Sequence, residues 1–284
     1  MIIGHETGGL VDNRSLTNRI ITSVLVITLV VLVIFFSPNW VFTLLASLMI
    51  GLALKEFFTL AEKKNLYVYK YFGISIGMLI PIIIYFQKGM EGYFTLEPFI
   101  IVIACLFIFV LQFTRRDSSQ ALASVAVTLF GVLYIAWLFS FFIQLKFMPQ
   151  GAFLVSFVIL VTKMGDVGAY LVGSLIGKHS LILRISPNKT VEGMLGGLIF
   201  SILSAVLSKY YLPSFPIGHL IVLGLFLGVL AQVGDLAESL LKRDCGVKDS
   251  GAIFPGFGGM FDLIDSLLFT APIFYFYVEV MMKR

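Results

Sequence analysis

The sequence predicts an all-α, polytopic integral membrane protein with about nine transmembrane helices. Of its 284 residues, 59% are hydrophobic and only 13% charged. The mean hydropathy of +1.00 is more apolar than a single soluble core of this length can hide. Apolar runs near the ~20-residue spanning length recur along the chain. They are rich in Leu, Ile, Val and Phe and lack the strict alternation of barrel strands, so the spans are helices.

Residues 1–18 form a polar, Gly-containing lead without periodicity and carry no assigned function. Ile20 to Phe36, preceded by Arg14 and Arg19, superficially resembles a signal peptide. Its apolar core is long, however, and ends at Ser37-Pro38-Asn39 without a small-residue cleavage site, so it reads as a retained first span. The remaining spans are expected near Trp40–Leu60, Tyr71–Phe86, Phe99–Phe113, Ala121–Leu145, Ala152–Ile176, Val191–Ser208, Ile217–Leu241 and Phe261–Met282. Residues 19–284 are read as one helical domain, with 19–148 as scaffold half and 149–284 as catalytic half, because the charged stretches cluster in the second half.

The net charge of +4 says less than its distribution. Lys55, Lys63, Lys64, Lys70, Arg115, Arg116, Lys178, Arg184, Lys189, Lys242, Arg243 and Lys248 fall on the side of Arg14 and Arg19. Lys88, Lys146, Lys209, Lys283 and Arg284 fall on the other. The positive-inside rule then places the N-terminus and the joint after the eighth span in the cytoplasm. This implies a multi-pass protein of the inner (cytoplasmic) membrane with its working face inward.

Cys105 and Cys245 are read as unpaired thiols. His5, His179 and His219 are far apart and form no HExxH-like pattern, which argues against zinc. GxxxG spacings at Gly73/Gly77, Gly193/Gly197 and Gly224/Gly228 allow close helix approach, more readily within one bundle than at a dimer seam.

Chemistry concentrates between Ala231 and Ser266, which carry Asp235, Glu238, Asp244, Asp249, Asp262 and Asp265, the basic Lys242, Arg243 and Lys248, and the break Pro255-Gly256-Phe257-Gly258-Gly259. An ionisable side chain at a membrane helix centre costs about 2.5–3.5 kcal/mol on insertion scales, so such a cluster marks a functional site by default. Asp235, Glu238 and Ser239 lie at i, i+3 and i+4 and share one helix face. Asp262 and Asp265 repeat the i, i+3 spacing at the start of the ninth span. Carboxylate pairs on neighbouring helix ends, with lysines between them, suit a magnesium-phosphate site; the competing reading is a solvated charged loop with ordinary caps. The glycines before Phe261 would let backbone N–H groups approach phosphate oxygens at a helix N-terminus, although a plain turn is the commoner use of such glycines.

A second constellation runs from Asp166, one turn after Lys163, to Glu192. Ser186-Pro187-Asn188-Lys189-Thr190 is expected to open a helix, with Ser186 as N-cap and Pro187 at N1. Lys189 there opposes the helix dipole and points either to an anionic ligand or to a positive-inside lysine. Gly173-Ser174-Leu175-Ile176-Gly177-Lys178-His179 is not a P-loop: its glycines are one residue too close and His179 stands where Ser or Thr is required. Asn13-Arg14-Ser15 and Asn188-Lys189-Thr190 match the glycosylation triplet, but both fall on the inferred cytoplasmic side.

The segment from Ser239, S-L-L-K-R-D-C-G-V-K-D-S-G-A-I-F-P-G-F-G-G-M-F-D-L-I-D, resembles the long C-terminal signature of the phosphatidate cytidylyltransferases (CDP-diacylglycerol synthases) almost throughout. D-V-G-A-Y-L-V-G from Asp166 and I-S-P-N-K-T-V-E-G from Ile185 resemble further segments of that family, as does, more loosely, the placement of Arg19 and Glu56. Two positions depart: Phe257 stands where the family has His before the paired glycines, and Leu263 where Arg follows the first Asp.

The resemblance implies transfer of a cytidylyl group from CTP to phosphatidate, with Mg²⁺ as cofactor and a second metal or monovalent ion left open. It implies Asp235 and Asp262 as metal ligands, with Asp265 and Asp249 as helpers. Lys189, Lys242, Arg243 and Lys248 become phosphate contacts. Ser186 and Thr190 become nucleotide-loop hydroxyls, with Asp166, Ser239, Gly258 and Gly259 also at the substrate. The expected partners are the two substrates, membrane lipid and a second copy in a homodimer, with no nucleic acid. A CTP-dependent polyprenol or dolichol kinase-like enzyme and a membrane transporter are the alternatives. The transporter is disfavoured because the charges lie at one membrane face and no repeated halves are visible.

Overall fold

The computed structural model describes residues 13–88, 96–116, 118–251 and 258–282, with side chains described between residues 25 and 281 of these. Its helices in chain order are α1 (Asn13–Phe36), α2 (Asn39–Lys63), α3 (Lys70–Lys88), α4 (Leu96–Phe113), α5 (Ala121–Gly131), α6 (Leu138–Lys146), α7 (Gly151–Ile176), α8 (Val191–Leu207), α9 (Ile217–Asp244) and α10 (Met260–Met282). Val132–Trp137 winds as a π-helix between α5 and α6, so that Ala121–Lys146 is one continuous span. Among the described residues eight helices are long and apolar enough to cross a membrane, and α1 ends in the apolar stretch Leu25–Phe36. Every predicted span therefore lies on a helix, in an all-α, polytopic membrane protein. Helix α9 runs past the expected Leu241 to Asp244, with Lys242 and Arg243 in its last turn, where cations favour the negative end of the helix dipole.

Helix α7 packs along α8, α8 on α9 and α9 on α10. Helix α2 packs on α3, and α10 also touches α2, α6 and α7, so it joins the two groups. Aromatic side chains fill the middle. Phe157 stacks on Phe274 with ring centroids 4.8 Å apart, and Phe57 and Tyr134 meet Phe261 edge-on, each at 6.1 Å. Phe157, Phe261 and Phe274 are fully buried. At the end where the charges gather, Lys64 after α2 pairs with Asp244 at the end of α9. At the opposite end the Lys146 ammonium meets the Ile34 carbonyl.

The GxxxG glycines serve packing within the chain. A Cβ at Gly77 would stand 2.2 Å from Leu54 Cδ1 of α2, and one at Gly224 would stand 2.7 Å from the Ile202 Cα of α8. Gly224→Leu should therefore lower stability by about 1–3 kcal/mol through overpacking. Gly218→Ala, with nothing within 4 Å of the added atom, should be neutral or slightly stabilising. Thermal unfolding of the purified protein in detergent checks both. Cys105 and Cys245 are free and half-buried; burial, followed by the neighbouring Asp244, pushes the Cys245 thiol up.

Candidate active site

Between α7 and α8 the chain makes a two-stranded antiparallel hairpin, β1 (Ser180–Ile182) with β2 (Ser186–Thr190). This corrects the expected helix start: Ser186 is not an N-cap and Pro187 is not at N1. Thr190 caps α8 instead, its Oγ1 accepting the Gly193 N–H at 3.1 Å. The hairpin wins because its backbone groups find partners across the strands, and the Val191 N–H donates to the His179 carbonyl at 2.8 Å. Glu192 holds the base of the hairpin, accepting the N–H groups of Lys178 and His179 at 3.1 and 3.2 Å. In this setting Lys189 projects from a strand, and its ammonium lies 2.7 Å from Asp235 Oδ2 of α9.

The N-terminus of α10 is organised by two carboxylates. Glu56, buried on α2, accepts the N–H groups of Met260 and Phe261 at 3.0 and 2.8 Å and the Ser250 hydroxyl at 3.0 Å. Asp262 Oδ2 accepts from Ser250 Oγ at 2.8 Å, Ser250 N at 3.2 Å and Gly259 N at 2.7 Å. These bonds satisfy N–H groups that a helix start always leaves unpaired. The Gly259 N–H of the expected glycine cradle thus donates to Asp262. The glycines are needed for another reason. Gly258 has φ +86, and a Cβ on it would lie 2.5 Å from Asp262 Oδ2, while one on Gly259 would lie 2.3 Å from Glu56 Oε2. Pro255, Gly256 and Phe257 lie outside the described residues. Leu263, the other departure from the family pattern, is half-buried against the apolar core.

One turn further along α10, Asp265 is buried and faces α9. Ligand oxygens of Asp235, Glu238 and Asp265 lie within 4.8 Å of one another. Asp262, the other expected ligand, lies outside that trio and beside Glu238. Asp262 in the first turn of α10 accepts the free N–H groups, and Asp265 one turn on lies at the α9 seam. Lys242 joins the two sets, its ammonium 2.6 Å from both Glu238 Oε2 and Asp262 Oδ1. Those three side chains are 13%, 1% and 11% exposed. Removing one partner of such a buried group costs about 3–5 kcal/mol, so Lys242→Met is expected to lower the unfolding temperature markedly. Lys163 of α7 closes the site from the other side, 3.0 Å from both Asp166 Oδ2 and the hydroxyl of Ser266.

The remaining expected residues are placed as follows. Arg243 is exposed and donates through Nε to the Ile185 carbonyl at 3.2 Å, tying α9 to the hairpin. Lys248 and Asp249 are exposed and make no hydrogen bond or ion pair among the described residues, as a loop past the end of α9 allows. Ser186 and Ser239 are half-buried. Sequence reasoning left Glu238 out of the ligand set although it shares a helix face with Asp235, and it gave no role to Lys163, Ser250 or Ser266. Glu56 was legible only through the loose family resemblance, since its partners are about 200 residues away.

Carboxylates and lysines gather at one end of a bundle of helices long and apolar enough to cross a membrane. The profile of the cytidylyltransferase family matches residues 17–281. The chain belongs to that family and is a nucleotidyltransferase. Among its relatives, the Escherichia coli protein named Uncharacterized protein YnbB is 31% identical over 252 residues, 85% of this chain and 80% of its own. The Synechocystis phosphatidate cytidylyltransferase is 30% identical over 295 residues, 94% of this chain and 97% of its own. The Bacillus subtilis phosphatidate cytidylyltransferase is 43% identical over 149 residues, 51% and 55% of the two chains.

Proposed function

We propose that the protein transfers a cytidylyl group from CTP to phosphatidate, giving CDP-diacylglycerol and pyrophosphate. The observation that carries this reading is the trio Asp235, Glu238 and Asp265 beside Lys189 and Lys242 at one end of the bundle. It is supported by the relatives from Synechocystis and Bacillus subtilis that bear the name phosphatidate cytidylyltransferase.

Carboxylate oxygens are the ligands a hard divalent cation prefers, and those of Asp235, Glu238 and Asp265 lie within 4.8 Å of one another. Asp235, Glu238 and Asp265 would hold Mg²⁺, which when bound supplies charge neutralisation at the phosphates. The chain's own cations do the rest. Lys189 and Lys242 are held by carboxylates within reach of the trio and supply positive charge where phosphate oxygens gather. Glu56 and Ser250 fix the first turn of α10, so that Asp262 steadies Lys242 and Asp265 stays at the α9 seam. A phosphate monoester has its second pKa near 6, so the lipid phosphate already carries the attacking oxyanion and needs no general base. Its oxygen bonds to the α-phosphorus of CTP as the bond to the β-phosphate oxygen breaks, and the electron pair leaves with pyrophosphate.

The reading is tested with purified protein, CTP labelled in the cytidine and phosphatidate. Pyrophosphate and a labelled lipid nucleotide are expected; CDP would indicate a kinase, and absence of any product a non-catalytic role. Lys189→Ala is expected to lower kcat/KM by about 10²-fold, the scale of one lost electrostatic contact to a transition state. Lys248→Ala should cost less than tenfold, and an equal loss would move the phosphate path onto the exposed joint. The reading also places this end of the bundle in the cytoplasm. Cysteines introduced at Lys248 and Lys88 should then label from opposite sides of the membrane.

A further inference from the structure

An apolar groove of about 170 Å³ runs between the hairpin, α8 and α9. Leu181 and Ile182 of β1 form one wall, Leu198 of α8 the floor, and Val229 and Val233 of α9 the other wall. Gln232 also lines it but spends its side-chain amide on the Met194 carbonyl, donating at 3.1 Å. The groove lies about one helical turn from the polar site. Leu236 at its end follows Asp235 directly, and Asp235 lies only about 4.5 Å along the helix from Gln232, at ~1.5 Å per residue. The hairpin contributes to both regions: β1 gives the apolar wall, and β2 gives Lys189, whose ammonium sits 2.7 Å from Asp235. An occupant that suits the whole arrangement has an aliphatic chain joined within a few ångströms to an anionic group.

We propose that this groove binds one acyl chain of the phosphate-bearing lipid substrate and sets its chain-length preference, with the hairpin acting as the element that couples chain to headgroup. The proposal rests on the reaction proposed above. Burying the chain here fixes the phosphate beside Lys189, so that apolar binding energy positions the reacting oxygen.

The experiment uses the full-length protein reconstituted in phosphatidylcholine vesicles and a phosphatidate carrying a photoreactive diazirine in one acyl chain. Label is expected on residues 181–198 and 229–236, and is expected to be competed by dioleoyl phosphatidate but not by added dioleoyl phosphatidylcholine. Equal competition by phosphatidylcholine would make the groove a site for bulk lipid and overturn the proposal. So would absence of label there, or cross-linking between two copies through a cysteine at Val229. In parallel, Val233→Phe and Ile182→Trp fill the groove from opposite walls, the second from outside the helix bundle. Each is expected to raise KM for dioleoyl phosphatidate about tenfold, the loss of about two methylene contacts, with kcat and the KM for CTP unchanged. The KM for dibutyryl phosphatidate, whose chains are too short to fill the groove, should move less than threefold. Unchanged KM for the long-chain lipid in both variants, with normal turnover, overturns the groove alone. Absence of turnover in the parent overturns the reaction, while the labelling still decides whether the groove takes a phosphatidate chain.

Discussion

Asp265→Asn and Asp235→Asn are each expected to bring cytidylyl transfer below detection while the protein still elutes as a folded, monodisperse species in detergent. Each substitution keeps the shape of the side chain and removes one charge from a trio whose ligand oxygens lie within 4.8 Å of one another. Three carboxylates that close repel one another, and with Asp166 and Asp262 beside them Lys163, Lys189 and Lys242 offset only part of the negative charge. Removing one should leave the fold intact or slightly stabilised while weakening any cation the site holds. Mg²⁺ should accordingly raise the unfolding temperature of the parent and of Lys248→Ala, but not of the two Asn variants. If Asp262→Asn abolished the Mg²⁺ effect while Asp265→Asn retained it, the assignment of the trio would be wrong.

The second large effect falls on stability. Glu56→Ala should sharply reduce the yield of folded protein, because it strips acceptors from the Met260 and Phe261 N–H groups and the Ser250 hydroxyl at one buried point. Each buried polar group left unsatisfied costs about 1–3 kcal/mol, and three together approach the whole stability of a typical domain. Glu56→Gln retains one carbonyl oxygen but turns an NH₂ toward donors, so it should unfold between Glu56→Ala and the parent. Ser250→Ala, which removes one donor shared by Glu56 and Asp262, should cost about 1 kcal/mol. An unfolding temperature of Glu56→Ala within a few degrees of the parent would show that α10 is capped by something else.

What the sequence determined was the helical frame. A bilayer core requires about 20 apolar residues per crossing and satisfies backbone groups only inside a helix, so each span announces itself locally. The expected Val191–Ser208 lies on α8 (Val191–Leu207), and Ala152–Ile176 on α7 (Gly151–Ile176). The region of the site was equally legible, since charges beside apolar runs stand out at any membrane edge, and Asp235 with Glu238 shared a face by spacing alone.

Tertiary structure alone decided which partners meet. Ser186–Thr190 carries the marks of a helix start, and only the pairing with Ser180–Ile182 turns it into a strand that delivers Lys189 to Asp235. Asp262 and Asp265 are chemically identical and one turn apart. Asp262 takes the cap bonds and also meets Lys242 of α9, while Asp265 lies with Asp235 and Glu238, because α9 packs against one side of α10 and Ser250 and Glu56 close over its end. Glu56 lies 204 residues from Met260, and no local pattern carries a bond of that separation. The sequence specifies which side chains are costly to bury, but the choice of which charge answers which depends on helix–helix packing, a property of the whole bundle.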